Sequence, residues 1–405
     1  MSHAFLINDH RLQPIAEKVE AGERLTPEEG VLLFETSDLL GLGSLADFAN
    51  RRLNGDRVFF SANQHINPTN VCVLRNTCVF CSYARLPKED GAYTRTVEEV
   101  FAEAEAVRNS PITEFHIVGG LHPKLRLSYY SEMIRGLKER HPHVLIKALT
   151  AVEIAHLARL EKMSVIEVLR ELKAAGLTSL PGGGAEVFSP AVRATIADRK
   201  LIAEEWLGVH RAAHELGIPS NCTMLYGHVE TARDRIDHLT MLRGLQSETG
   251  GFLSHVPLAY HPDHNVLGEE LGRQGTATTG FEDLKNVAVG RLYLDNVPHL
   301  KTHWPMVTPF ISQVALDFGC DDVEGTVVYE RVYHEAGART PMMLSYSELV
   351  RLIKGAGKEP VERNSLYETV RSFGPDDPMF RPEEGSAMGA AAGEELVQLV
   401  GAGRA

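Results

Sequence analysis

The sequence predicts a (β/α)8 barrel, an α/β fold with helical extensions at both ends. Three observations carry that prediction. Short runs rich in Val, Ile and Phe recur through the middle of the 405-residue chain. Amphipathic helical patterns separate most of them. The alternation runs for about 270 residues, the size of such a barrel. An open doubly wound sheet is the other architecture that alternating strands and helices allow.

Residues 1–57 read as a helical N-terminal extension. In "RLTPEEGVLLFE", Thr26 is a cap, Pro27 takes the first helical position and Glu29 closes a capping box. "SLADFANRRLNG" reads as another helix, ending at Gly55. The barrel follows over residues 58–335. Its strands are "VFFSANQHI", "EFHIVGG", "VLIKALT", "LTSLPGG", "SNCTMLYG", "FLSHVPLAY", "HLKTHW" and "GTVVYE". Four intervening helices open on a Ser or Thr three residues before an acid: Thr96/Glu99, Ser164/Glu167, Thr231/Asp234 and Thr279/Glu282. Residues 336–405 form a C-terminal extension. It holds one helix, "LSYSELVRLIKGAG", capped by Ser345 and Glu348, then a small-residue tail expected to be loosely ordered.

The net charge of -13 argues against nucleic acid as a partner. No apolar stretch is long enough to span a membrane. The opening "MSHAFLINDHRLQP" lacks a basic region followed by an apolar run, so no secretory leader is expected. Five cysteines at uneven spacing make a poor disulfide framework. Cys222 and Cys320 read as buried structural residues. A cytoplasmic location is expected, where thiols stay reduced.

The other three cysteines, Cys72, Cys78 and Cys81, fall within "NPTNVCVLRNTCVFCSYARL", residues 67–86. They directly follow the first strand, on the barrel face where chemistry gathers. A structural zinc ion takes four protein ligands, so it would need a distant Cys222 or a histidine. A [4Fe-4S] cluster held by three thiolates keeps one iron open, and that iron can chelate an amino acid's amine and carboxylate.

Three thiolates around an open iron resemble the radical S-adenosylmethionine (radical SAM) superfamily. The usual spacing there is C-x3-C-x2-C, whereas this chain reads C-x5-C-x2-C. "CVFC" keeps the second half, with aromatic Phe80 beside the last ligand. The resemblance implies further roles. Gly119 and Gly120, in "HIVGG", match the turn whose backbone binds the methionyl amine, with Leu121 in place of the usual acid. In "LPGGGAEVF", Glu186 resembles the acid that holds the amino acid or ribose part, and Glu153 competes for that role. In "ADRK", Arg199 or Lys200 would pair with the methionyl carboxylate.

Within the superfamily, "NQHINPTNVC", "LPGGGAEVFSP", "MLYGHVETARDRIDHLTMLRGLQSETGGF" and "PLAYHPDHN" resemble the aminodeoxyfutalosine synthases of the futalosine route to menaquinone. The cyclic dehypoxanthine futalosine synthases and the enzymes of deazaflavin precursor synthesis share the barrel and the "GGGAE" element. The resemblance implies that S-adenosylmethionine is a cosubstrate. Its adenosyl group would join the vinyl carbon of 3-[(1-carboxyvinyl)oxy]benzoate, with loss of bicarbonate and formation of 6-amino-6-deoxyfutalosine. A flavodoxin or ferredoxin would supply the electron. The substrate's two carboxylates call for donors at the strand ends. The candidates are His116, Tyr226, His228, Tyr260, His261 and Arg291. An iron-sulfur carrier or scaffold without radical chemistry is the alternative of another class.

Overall fold

The computed structural model describes residues 5–108 and 110–374. The small-residue tail lies outside these residues. The first barrel strand is broken at Ala62 into β1 (Arg57–Ser61) and β2 (Asn63–Ile66). The others are β3 (Glu114–Ile117), β4 (Leu145–Ala148), β5 (Ser220–Tyr226), β6 (Phe252–Ala259), β7 (His299–Leu300) and β8 (Asp322–Gly325).

The pairing closes into a ring. β2, β3 and β4 pair in parallel, with Asn63 opposite Glu114 and Glu114 opposite Leu145. β5, β6 and β7 form a second parallel run. Parallel bridges Lys147–Ser179 and Leu180–Ser220 join the two runs. Lys301–Asp322 joins β7 to β8, and β8 returns to the first strand through Phe59–Asp322 and Gln64–Val328. This is a closed barrel and not an open sheet. The fourth strand shrinks to Ser179 and Leu180, because Pro181 lacks an amide and glycines follow it. β8 begins at Asp322, three residues before the run "GTVVYE".

Local signals fix most helices. Thr26/Glu29, Thr96/Glu99, Ser164/Glu167, Thr231/Asp234 and Ser345/Glu348 all form reciprocal capping boxes. Thr279 accepts from the Glu282 amide. Gln13–Ala21, Ala151–Glu161, Pro190–Ile196 and Pro309–Ala315 are among the helices additional to the pattern read from the sequence, and Ala151–Glu161 is capped by Thr150 with Glu153. The N-terminal helices lie on the barrel's outer layer. Pro27–Glu35 packs on Ala232–Thr249, and Leu39–Asn54 packs on Gly280–Tyr293. Gly43 on Leu39–Asn54 lets that helix approach Phe318, since a Cβ there would sit 2.7 Å from the Phe318 ring.

The C-terminal extension carries strands as well as its helix. β9 (Glu359–Arg363) runs parallel to β1, and β10 (Thr369–Ser372) returns antiparallel to β9. Arg363 is fully buried. Its guanidinium lies 2.6 Å from Asp322 and 3.7 Å from Glu114, the first residues of β8 and β3. Glu114 also pairs with Lys147 at 2.8 Å. Burial opposes the Glu114 charge, but Lys147 beside it holds the carboxyl well below its usual range. Charges this deep persist only when paired. The hairpin thus closes the barrel at the N-terminal ends of its strands and leaves the opposite end open.

Candidate active site

A cavity of about 300 Å³ occupies the open end. The thiol-bearing residues Cys72, Cys78 and Cys81 line it together with Phe80, His116, Gly119, Gly120, Glu153 and Glu186. His65, Lys301, His303 and Glu324 line it as well. Val118, Leu225, Val256 and Leu258 supply an apolar wall.

The long cysteine loop folds as a chain of turns. The amides of Arg75 and Thr77 donate to the carbonyls of Cys72 and Leu74, and the Cys78 amide also donates to Leu74. These turns absorb the two extra residues between Cys72 and Cys78. The loop is pinned from three directions. Val73 N–H donates to Leu121 O, Val79 N–H to Ile196 O, and Leu267 N–H to Val79 O, at 3.0 Å in each case. Burial pushes the Cys78 thiol up to about 12 and raises that of Cys72.

The glycine turn is a packing device as well as a cavity wall. A Cβ on Gly120 would lie 2.4 Å from Val71 O, on the residue before Cys72. One on Gly119 would lie 2.9 Å from Thr69 O. Only glycine lets the turn press against the cysteine loop. Glu153 holds it from behind. Its Oε1 accepts from the Gly119 amide at 3.0 Å, and its Oε2 accepts from the Thr150 amide at 2.7 Å. Burial raises the Glu153 carboxyl to about 7, against the lowering effect of these hydrogen bonds. Glu153 is thus a cap and a brace for the turn.

Glu186 stands with φ +48°, in the left-handed region. Its carboxylate forms a close ion pair with Lys200, and the two side chains are only 8% and 13% exposed. Lys200 lies 5.2 Å over the Phe80 ring. Burial disfavours its ammonium, but Glu186 wins and raises the pKa above the usual lysine value. Arg199, expected at the carboxylate, is exposed and absent from the cavity wall. The neighbouring lysine takes the inward position. Arg193, which the sequence did not single out, ties this loop together. It donates to Ala185 O at 2.7 Å and to Leu201 O.

His116 lines the cavity and stacks on His65 at 4.6 Å. Burial lowers the pKa of both rings, which keeps them neutral. The other substrate candidates do not line the cavity. On β5, Asn221, Thr223 and Leu225 face inward, so period-two alternation turns Tyr226 outward. Its hydroxyl donates to Asp283 at 2.8 Å. His228 is engaged by Leu225 O and the Val229 amide. Tyr260 donates to Asn265 at 2.6 Å, and His261 lies 3.0 Å from Met306 O. Arg291 sits at the wrong end of the barrel. It binds Gly319 O and Asp321, beside the start of β8.

Residues 66–242 match the Radical SAM superfamily, and residues 249–374 match the CofH/MqnC C-terminal region. Over 365 residues the chain is 48% identical to an aminodeoxyfutalosine synthase of Thermus thermophilus, covering 90% of this chain and 97% of that relative. The chain belongs to the radical SAM superfamily, in the family of the aminodeoxyfutalosine synthases. A second such synthase, from Streptomyces coelicolor, is 45% identical over 91% of this chain and 96% of its own length. The fold is also that of the FeFe-hydrogenase maturase HydG from Carboxydothermus hydrogenoformans. That match has a TM-score of 0.66 at 18% identity and covers 88% of this chain and 80% of that one. The protein is an enzyme, and its family uses a [4Fe-4S] cluster and S-adenosylmethionine.

The residues present fit the cluster. Three soft sulfur donors border one cavity, and burial raises the thiols of Cys72 and Cys78, whose protons a metal centre would draw off. Among the described residues, no three or more His, Cys, Asp or Glu side chains converge on a single ion. Cluster ligands need not converge, since each binds a different iron. Cys222, the fourth thiol a zinc site would need, is elsewhere. Its sulfur lies 3.6 Å from Ser254 O and 3.7 Å from His255 Nδ1. Cys320 is also fully buried, with its thiol donating to Leu300 O and Asp322 O. No helix among the described residues is long and apolar enough to cross a membrane.

Sequence reasoning missed Lys301, His303 and Glu324 on the cavity wall. Lys301 pairs with Glu324 at 3.0 Å, and His303 Nδ1 lies 3.3 Å from the same carboxylate. A signal was present in "HLKTHW". Lys301 and His303 are two residues apart, so they share one face of an otherwise structural strand.

Proposed function

We propose that the protein converts S-adenosylmethionine, 3-[(1-carboxyvinyl)oxy]benzoate and water into 6-amino-6-deoxyfutalosine, methionine, bicarbonate and a proton. The observation that carries this reading is one cavity shared by three cysteines, the Glu153-braced glycine turn and the Glu186–Lys200 pair, in a chain so similar to two synthases. Cys72, Cys78 and Cys81 would hold the cluster, with Phe80 beside them. A [4Fe-4S] cluster supplies the electron that splits S-adenosylmethionine into methionine and a 5'-deoxyadenosyl radical. A flavodoxin or ferredoxin would deliver that electron in the cytoplasm.

The chain's own residues then have defined tasks. Lys200 receives the methionyl carboxylate while Glu186 fixes the ammonium's position. The Gly119–Gly120 turn presents backbone groups to the methionyl amine, and Glu153 keeps the turn from shifting. The apolar wall excludes water from the reacting carbons, so that the alkene is the first partner met. Orientation matters here because the adenosyl group must end in the product.

Incubation under anaerobic conditions with dithionite, the benzoate substrate and S-adenosylmethionine labelled in the adenine ring tests this. Most label should leave in a nucleoside larger than 5'-deoxyadenosine, together with bicarbonate. Free 5'-deoxyadenosine as the main product would reject the reading and favour the cyclic dehypoxanthine futalosine synthase reaction.

A further inference from the structure

We infer that Lys301 binds the benzoate carboxylate of the second substrate, the one retained in the product, and that no lysine or arginine receives the carboxylate that departs. This rests on the reading above.

The argument begins with an inventory. Three carboxylates must enter the cavity: one methionyl, one benzoate and one enolpyruvyl. Among the described residues that line it, the lysines are Lys200 and Lys301, and there is no arginine. Lys200 lies over Phe80 in the cysteine loop and pairs with Glu186, which puts it at the methionyl end. Lys301 lines the same cavity from just after β7 and pairs instead with Glu324 on β8.

Lys301 is built to accept an anion. It is 99% buried, and among the described residues Glu324 is the one carboxylate within ion-pair distance. An ammonium has three protons, so one carboxylate leaves donors free. Glu324 itself is fully engaged. One oxygen accepts from Asn63 at 3.2 Å, and the other faces both Lys301 and His303. Its backbone has φ +70°, a costly conformation for glutamate. The strand bends there to aim the carboxylate at Lys301. Glu330, also on the cavity wall, accepts from the Tyr333 amide and lies 2.9 Å from His334 Nδ1, so its charge is taken up locally. Among the described residues, His65 and His303 each keep a ring nitrogen with no hydrogen-bond partner, and both line this cavity.

The enolpyruvyl carboxylate is left to neutral groups and to the wall of Leu225, Val256 and Leu258. That division suits the reaction. An ammonium clamped on the departing carboxylate would stabilise the ground state more than the transition state.

The test uses cluster-loaded protein with S-adenosylmethionine and no reductant. Affinities for 3-hydroxybenzoate and phenol are compared by calorimetry or ligand-observed NMR. The native protein should prefer 3-hydroxybenzoate at least tenfold. Lys301→Met should abolish that preference, and so should Lys301→Met/Glu324→Gln, which leaves no carboxylate unpaired if the single variant folds poorly. Lys200→Met should keep it. A preference that survives in the double variant, or that vanishes in Lys200→Met or is missing in the native protein, overturns the inference. Native turnover of the full substrate is measured in parallel. Loss of the Lys301 effect with normal turnover rejects the subsite alone. A Lys301-dependent preference without turnover rejects the functional reading alone.

Discussion

Removing Lys200 and Glu186 singly and together separates their structural role from their binding role. The two side chains are 13% and 8% exposed, so little solvent screens the pair. Removing one member of a buried pair costs about 3–5 kcal/mol, because the survivor stays buried without its partner. For a chain of this length that is a melting temperature lowered by roughly 4–6 °C. Lys200→Met and Glu186→Gln should each show that loss by scanning calorimetry. The double variant leaves no orphaned charge and should recover most of it. Affinity for S-adenosylmethionine should behave differently. The lost charge-assisted bond removes about 1.5–3 kcal/mol, or roughly ten- to a hundredfold. Lys200→Met and the double variant should both show that deficit, with iron content unchanged. Arg199→Ala should change neither quantity. Native affinity in the stable double variant would refute the assignment of Lys200 to the methionyl carboxylate.

Other outcomes follow from the same geometry. Cys72→Ala, Cys78→Ala and Cys81→Ala should each lose cluster absorbance, whereas Cys222→Ser and Cys320→Ser should keep it; full cluster in Cys72→Ala would remove the long loop from the site. Burial raises the folded pKa of Glu153 from 4.5 to about 7, so the folded protein holds a proton that the unfolded chain has already lost. Stability should therefore fall as pH rises through that window, and the melting-temperature difference between Glu153→Gln and native should shift in the variant's favour there and flatten above it. A pH-independent difference would contradict the raised pKa. Arg291→Met leaves Asp321 with His299 and the Leu300 amide, so it should cost less than the roughly 3–5 kcal/mol of a fully orphaned buried charge, while affinity for S-adenosylmethionine stays native; a selective loss of substrate binding would return Arg291 to the site.

The barrel was legible because its signals are local. Capping boxes and strand runs each need only a few neighbouring residues, and most appear where the pattern puts them. The cysteine loop was legible for the same reason. Side-chain direction was not. Tyr226 lies on β5 beside inward-facing Leu225, and one step of alternation sends it to Asp283. Arg199 and Lys200 are adjacent, yet only the second reaches Glu186. Arg291 looked like a strand-end cation, but its helix returns it to the opposite rim beside Asp321. The hairpin β9–β10 was hidden because its pairing with β1 spans about 300 residues, and long-range pairing leaves little local trace. His65 and Lys301 were overlooked for a related reason, since only closure of the ring brings β2 and β7 to one cavity.

The two ends of the barrel use buried charge in opposite ways. At the closed end, acids carry more than one basic partner. Glu114 meets Lys147 and Arg363, and Asp321 meets Arg291 at 2.8 Å and His299 at 2.6 Å. These pairings let the charges stay buried and tie the starts of several strands together. At the open end, Lys200 and Lys301 have one carboxylate each among the described residues. Each pair is charged and buried, yet each ammonium retains donors. The same ring of parallel strands therefore provides a rigid floor and an unsatisfied mouth. Carboxylate-bearing molecules are what can complete the mouth, and S-adenosylmethionine and the enolpyruvyl benzoate both carry them.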